Sequence, residues 1–208
     1  MANFEALSQS VIAGAEPQVR EQTKALIDAG VNPLEIINNG LTAGMTVVGA
    51  RFKNGEMFVP EVLMSAKSMA AGIEMVKPLI ADKDMPSKGT IVLGTVKGDL
   101  HDIGKNLVGM MLESSGFKVI NLGIDIAPEK FVAAVKEHDP QIVAMSALLT
   151  TTMPLMKDTI ELIEEEGIKV KCIIGGAPIT QEYADKISAD GYSPDAGSAV
   201  ELCVRLMA

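Results

Sequence analysis

The stretch "TIVLGTVKGDLHDIGKNLVGMMLES" (residues 90–114) decides the fold. Its first seven residues are apolar or β-branched without polar alternation, as in a strand buried on both faces. "LVGMMLES" then returns to helical spacing. Between the two lies a loop holding a glycine, Asp99, Asp102 and one of the two histidines in the chain. Strand, chemical loop and helix in this order form the opening half of a βαβ unit.

The same rhythm continues to the end of the chain. "KVINLG" (118–123), "QIVAMS" (141–146) and "KVKCIIG" (169–175) read as further strands, with a weaker fifth near "ISADGYS" (187–193). Helices are predicted at about 102–115, 128–138, 153–166, 180–187 and 197–207. The fold class is α/β: a doubly wound parallel sheet of flavodoxin or Rossmann type. In such sheets ligands sit beyond the carboxyl ends of the strands, at a topological switch point. The loop at 97–102 falls on that edge.

Upstream the period is helical. "FEALSQSVIAG", "PQVREQTKALIDAG", "NPLEIINNGLTAGMTVVGARF" and "PEVLMSAKSMAAGIEMVKPLIA" predict four helices, two of them opened by proline. Leu34, Ile37, Leu41, Met45 and Val48 share one face of the third; Val62, Met69, Ile73 and Val76 share one of the fourth. Asn54-Gly55 supplies turn chemistry between them. This is the pattern of a small four-helix bundle. The polar "DKDMPSKG" (82–89) separates the halves, giving a bundle at 1–83, a linker at 84–89 and an α/β domain at 90–208.

Composition narrows the classes. Apolar residues make up 48%, only 3% are aromatic, and 13 are methionine, so the interior is aliphatic and thioether. The net charge of −9 opposes binding to phosphate backbones or anionic lipid, and no nucleic-acid or membrane partner is expected. Cys172 and Cys203 have no zinc-site spacing. The N-terminus lacks a signal-peptide pattern and no segment suits a membrane span, which predicts a cytoplasmic protein.

The loop can be sorted by chemistry. It is not a phosphate loop: five residues separate Gly98 from Gly104, and Asn106 stands where Ser or Thr would hold magnesium. It suits a metal ligand better, because Asp99 can bond one ring nitrogen of His101 and orient the other. A bare ion on one imidazole would be held weakly, whereas a metal already ligated by a macrocycle needs only one more donor. From the loop alone, a histidine tied to Asp99 for structural reasons stays equally open.

Three motif parts break the tie. Asp99-x-His101-x-x-Gly104, then Ser146-x-Leu148, then Gly175-Gly176 follow the first, third and fourth strands, with 41 residues across the first gap and 26 across the second. This resembles the cobalamin-binding family whose signature is DxHxxG, SxL and GG. "GMTVVGARFKNGEMFVPEVLMSAKSM" (44–69) is similar to the helical cap module that precedes the cobalamin domain in methionine synthase and in small corrinoid proteins of methylamine, methanol and O-demethylase systems. The resemblance covers nearly the whole chain.

It implies cobalamin (methylcobalamin or a related corrinoid of cobalt) bound with its benzimidazole tail displaced into a slot of the α/β domain. By the same resemblance His101 is the lower axial ligand, Asp99 bonds His101, and Ser146 extends that relay. Gly98, Asp102, Ile103, Gly104, Leu148, Thr150, Gly175 and Gly176 line the tail or the corrin edge. Phe52 and Val59, on either side of "KNGEMF", match apolar cap positions above the corrin; methionine synthase has leucine where Val59 stands, which implies a smaller contact. The cap would shield a reduced cobalt, and "DKDMPSKG" would serve as its hinge.

The activity implied is that of a methyl carrier cycling between Co(I) and methyl-Co(III), not a complete enzyme. Its partners would be a donor-specific methyltransferase, an acceptor methyltransferase and a reductive activation protein. A small subunit of an adenosylcobalamin mutase shares the three motif parts but not the "RFKNGEMFVPE" cap. A cobalamin-dependent sensor would carry a DNA-binding module, for which an acidic chain of 208 residues is expected to leave no room.

Overall fold

The computed structural model describes residues 3–80 and 87–208. Two compact units emerge, one within Met1–Ser87 and one of Lys88–Glu113 with Phe117–Ala208. The expected linker lies partly outside the described residues, at 84–86, as does the end of the fourth predicted helix at residue 81.

In the first unit, α1 (Phe4–Ile12) and α2 (Glu16–Asp28) are joined by a tight turn. α3 (Pro33–Glu35) passes through a π-helical stretch, Ile36–Thr42, into α4 (Ala43–Lys53), and α5 (Val59–Val76) follows. The four predicted helices are present, but the π-helical stretch was not expected. It sets both Ile36 and Ile37 into the core, at 0% and 6% exposure, where plain α periodicity would favour only one. Gly40 lies in this stretch, and a Cβ there would stand 2.6 Å from Leu7 Cδ2 of α1, so the two segments pack closer than larger residues allow. α5 opens with the Phe58 N–H donating to the Glu61 carboxylate at 2.8 Å, with Pro60 in its first turn.

The second unit alternates: β1 (Thr90–Val96), α6 (Ile103–Ser114), β2 (Lys118–Ile126), α7 (Pro128–His138), β3 (Ile142–Ser146), α8 (Pro154–Glu165), β4 (Lys171–Gly175), α9 (Gln181–Lys186), β5 (Gly191–Tyr192) and α10 (Ala196–Leu206). All strand pairs are parallel, in the order β2-β1-β3-β4-β5. The reversal falls between β1 and β3, which is the switch point.

The strands read as continuous apolar runs because both faces are covered. Val92, Val96, Val143, Met145 and Ile174 face Phe131, Ile160, Ile163 and Ile187, whereas Ile91, Leu93, Ile142, Ala144 and Ile173 face Leu112, Leu202 and Cys203. Phe131 is fully buried, which stabilises the fold by roughly 1.5–3 kcal/mol. Two departures from the sequence reading stand out. β5 keeps only two residues, and β2 runs three residues beyond the predicted end at Gly123 because it leaves regular register: Leu93 faces Asn121, but Val96 faces Ile126.

Candidate functional site

Parallel pairing lines up the ends of three adjacent strands. Thr95 of β1 pairs with Ser146 of β3, and Ser146 with Gly175 of β4, so they stand in one row beneath the loops. The three sequence motifs leave the sheet side by side, just past that row.

Asp99 ties them together. Its side chain is wholly buried. Oδ1 accepts the His101 ring at 2.7 Å and the His101 N–H at 3.1 Å. Oδ2 accepts the N–H of Leu148 at 2.7 Å, the N–H of Leu149 at 3.2 Å and the Thr152 hydroxyl at 3.0 Å. Burying a carboxylate without partners would cost several kcal/mol. Burial alone would raise its pKa, but the N–H of Leu148, the ring and N–H of His101 and the hydroxyl of Thr152 hold it well below the usual carboxylate range.

The tautomer of His101 follows. An ionised carboxylate only accepts, so Nδ1 carries a proton, and in the neutral ring the lone pair is then on Nε2. The ring is half exposed, between the exposed apolar side chains of Leu100, at 67%, and Ile103, at 77%, and beside the exposed carboxylate of Asp102. Ile124 near the end of β2, and Leu148 and Leu149 in the loop after β3, are also exposed apolar side chains. An accessible imidazole among exposed aliphatic side chains, with a carboxylate at its edge, suits a large ligand that has both apolar and polar surface. Among the described residues, no group of three or more His, Cys, Asp or Glu side chains is placed to hold a metal ion. What the loop presents is a single imidazole, that of His101, with Nδ1 bonded to Asp99.

Glycine placement fits as well. A Cβ on Gly104 would meet nothing within 4 Å, so its smallness answers no packing demand inside the chain and leaves open space beside the loop. Gly176 is different. With φ 132°, a Cβ there would fall 1.9 Å from the Ala147 carbonyl oxygen, so this glycine lets the β4 loop lie against the β3 loop. Next to it, the Ala147 N–H donates to the Gly175 carbonyl at 3.2 Å.

The expected residues fall into two sets. Gly98, Asp99, His101, Asp102, Ile103 and Gly104 gather with Ser146, Leu148, Thr150, Gly175 and Gly176 at the carboxyl edge of β1, β3 and β4. Phe52 and Val59 belong to the helical unit, half-buried at the end of α4 and the start of α5, with Phe58 between them 68% exposed. The relay differs from the expectation: the hydroxyl bonded to Asp99 belongs to Thr152, and Ser146 is not among the donors to that carboxylate. Thr152 lies in "LLTTTMP", where three consecutive threonines gave no signal to choose one.

Lys105 was also missed. It is 3% exposed, and its Nζ donates to Asn106 Oδ1 at 2.5 Å and Asn121 Oδ1 at 2.8 Å. Burial lowers its pKa and Asp102 partly opposes that. Asn106 in turn donates to Asp102 Oδ2 at 2.9 Å, so this polar chain anchors the first turn of α6 to β2.

Comparison with known proteins places this arrangement. Family models described as B12 binding domain match residues 89–201 and, separately, 4–77. A corrinoid protein of Desulfitobacterium hafniense is 44% identical over 100% of this chain and 98% of its own. Dimethylamine corrinoid protein 1 of Methanosarcina acetivorans is 48% identical over 86% of this chain and 85% of its own. Among solved structures, the methanol:cobalamin methyltransferase complex MtaBC of Methanosarcina barkeri matches with a TM-score of 0.88 at 34% identity, over 98% of this chain and 79% of that one. Among the described residues, no helix is long and apolar enough to cross a membrane.

Proposed function

The chain belongs to the B12-binding corrinoid proteins, and from that premise we propose that His101 is the axial protein ligand of the cobalt in a carrier that hands methyl groups between two methyltransferases. The bound corrinoid supplies the chemistry, because its cobalt takes up and releases the methyl group. What the protein adds is ligation, orientation and shielding.

One observation carries the ligand assignment: the 2.7 Å bond from His101 Nδ1 to a buried Asp99, which leaves Nε2 as the only free donor of an exposed ring. Such carboxylate–histidine pairs raise imidazole basicity and fix its aim. Gly98, Asp102, Ile103, Gly104, Ser146, Leu148, Thr150, Gly175 and Gly176 are assigned to the nucleotide tail and corrin edge, on the support of the open space at Gly104 and the exposed aliphatic side chains of Leu100, Ile103, Leu148 and Leu149.

The partners follow from the relatives. Their names tie them to dimethylamine and, in the solved complex, to a methanol:cobalamin methyltransferase. We assign this chain a donor-specific methyltransferase, an acceptor methyltransferase and a reductive activation protein, all in the cytoplasm. The test is direct. The purified chain, mixed with hydroxocobalamin, is expected to bind it with the benzimidazole off the cobalt and an imidazole on it; His101→Ala is expected to lose that imidazole. Methyl transfer from methylamines or methanol with the matching methyltransferase then identifies the donor. A colourless chain after mixing, or the same spectrum for parent and His101→Ala, would overturn the assignment.

A further inference from the structure

β2 leaves the regular ladder near its end. Gly94 pairs with Gly123 and Val96 with Ile126, so two steps along β1 are matched by three along β2. A further irregularity lies between Leu93 and Gly94, where Asn121 gives way to Gly123. Bulges of this kind bend a strand and re-aim a side chain, often beside a functional site. The residue re-aimed here is Asp125, whose φ of 55° is in the left-handed region. Asp and Asn visit that region more readily than other side chains do.

From that position Asp125 reaches the loop on β1 twice. Its Oδ1 accepts the N–H of Gly98 at 2.7 Å, and its own N–H donates to the carbonyl of Asp99 at 3.1 Å. Gly98 is itself left-handed, with φ 80°. The two bonds grip both ends of the Gly98-Asp99 dipeptide, and His101 follows two residues later. The Thr95 hydroxyl donates to the His101 carbonyl at 2.9 Å and secures the far side.

We propose that Asp125 is a positioning residue for His101: its carboxylate and its left-handed backbone hold the Gly98-Asp99 segment from which the imidazole would be presented to a bound corrinoid. This rests on the reading of His101 as the ligand. The residue type fits both demands. Aspartate tolerates the backbone and supplies the acceptor; asparagine would do the same, glycine only the first, and most other residues neither.

The experiment separates the two demands. Asp125→Asn, Asp125→Gly and His101→Ala are loaded with hydroxocobalamin, reduced to Co(II), and examined by EPR with isotope-labelled histidine, beside cobalamin titrations and melting of the cofactor-free chains. Asp125→Asn is expected to match the parent. Asp125→Gly is expected to melt with a cooperative transition yet bind cobalamin roughly two- to tenfold more weakly, as for one lost hydrogen bond, with part of the imidazole signal gone. An Asp125→Gly protein with parental affinity and signal overturns the proposal, as does an Asp125→Gly chain that fails to fold, or a folded Asp125→Asn that loses the signal. If His101→Ala keeps the imidazole signal, the ligand assignment itself fails and this proposal falls with it.

Discussion

Asp99 holds Leu148 across the switch point of the sheet, its buried Oδ2 accepting the Leu148 N–H at 2.7 Å. The other oxygen of the same carboxylate is 2.7 Å from His101 Nδ1. One group therefore sets the spacing of the β1–α6 and β3–α8 loops and the aim of the imidazole. Asp99→Asn must turn an NH₂ either toward the ring or toward the donors on the β3–α8 loop. The expected outcome is a loss of roughly 2–3 kcal/mol in urea unfolding of the cofactor-free chain. Cobalamin affinity is expected to fall roughly 10- to 100-fold. An Asp99→Asn protein as stable as the parent would show that the carboxylate does not join the loops.

Thr152 and Ser146 can be told apart by substitution. Thr152→Val removes the hydroxyl that donates to Asp99 at 3.0 Å and keeps the shape of the buried side chain. A hydrogen bond to a charged group contributes about 1.5–3 kcal/mol, so Thr152→Val is expected to lose that much and Thr152→Ser to recover most of it. Ser146→Ala takes no donor from Asp99 and is expected to leave the cofactor-free chain within about 0.5 kcal/mol of the parent. Chemical unfolding of the three variants checks the contrast.

The fold was legible in the sequence because its central strands are buried on both faces, and unbroken runs such as "TIVLGTV" and "QIVAM" have few other homes. Asp99, His101 and Gly104 were legible as a pattern because they fall within six residues at the turn from such a strand into a helix. Thr152 and Asp125 were not. Each acts through a contact that exists only after parallel pairing brings the β2 and β3 ends beside β1. The register slips of β2 are fixed by pairing with β1, and no local residue signal marks them. The π-helical stretch escaped for a similar reason: it answers the close approach of α1 to Gly40, a tertiary demand.

Two glycines of the motifs are expected to respond oppositely to alanine. At Gly176 a methyl group would stand 1.9 Å from the Ala147 carbonyl oxygen, which is backbone and cannot swing away, and φ is 132°. Gly176→Ala is expected to cost 3 kcal/mol or more, on the order of other strained-backbone changes, or to abolish soluble expression. At Gly104 nothing lies within 4 Å and the backbone is helical. Gly104→Ala is expected to leave stability unchanged or raise it by up to about 1 kcal/mol, while cobalamin binding weakens. Melting curves and cobalamin titrations of both variants test this; a Gly104→Ala chain with parental cobalamin affinity would remove that position from the site.

Neither cysteine is expected to react in the native state. Cys172 is 3% and Cys203 0% exposed, and burial pushes both thiols up to about 12. The thiolate is the nucleophile, so at neutral pH the folded chain offers almost none. Iodoacetamide is expected to label both cysteines only in denaturant. Prompt labelling of the native chain would contradict the packing around β4 and α10.

Acid should expose the ionisation of Asp99. Its carboxyl in an unfolded chain titrates near about 3.9, whereas in the folded chain the N–H of Leu148, the His101 ring and N–H and the Thr152 hydroxyl outweigh burial and hold it lower. A depressed folded pKa gives stability that is fully present above the unfolded value and is lost as pH falls through the folded one. Urea unfolding of the parent and of Asp99→Asn from about pH 7 to about pH 3 is therefore expected to show a constant gap down to about pH 5 and a narrowing gap below about pH 4. A parent that instead gains stability relative to Asp99→Asn as pH falls from about 7 to about 4, and levels off below, would mean that the folded chain keeps Asp99 protonated. In that case Asp99 could donate as well as accept, nothing would force the proton onto Nδ1, and the lone pair at His101 Nε2 would lose its structural basis. The acid limb thus tests, without any cofactor, the ionised Asp99 on which the proposed role of His101 as a ligand depends.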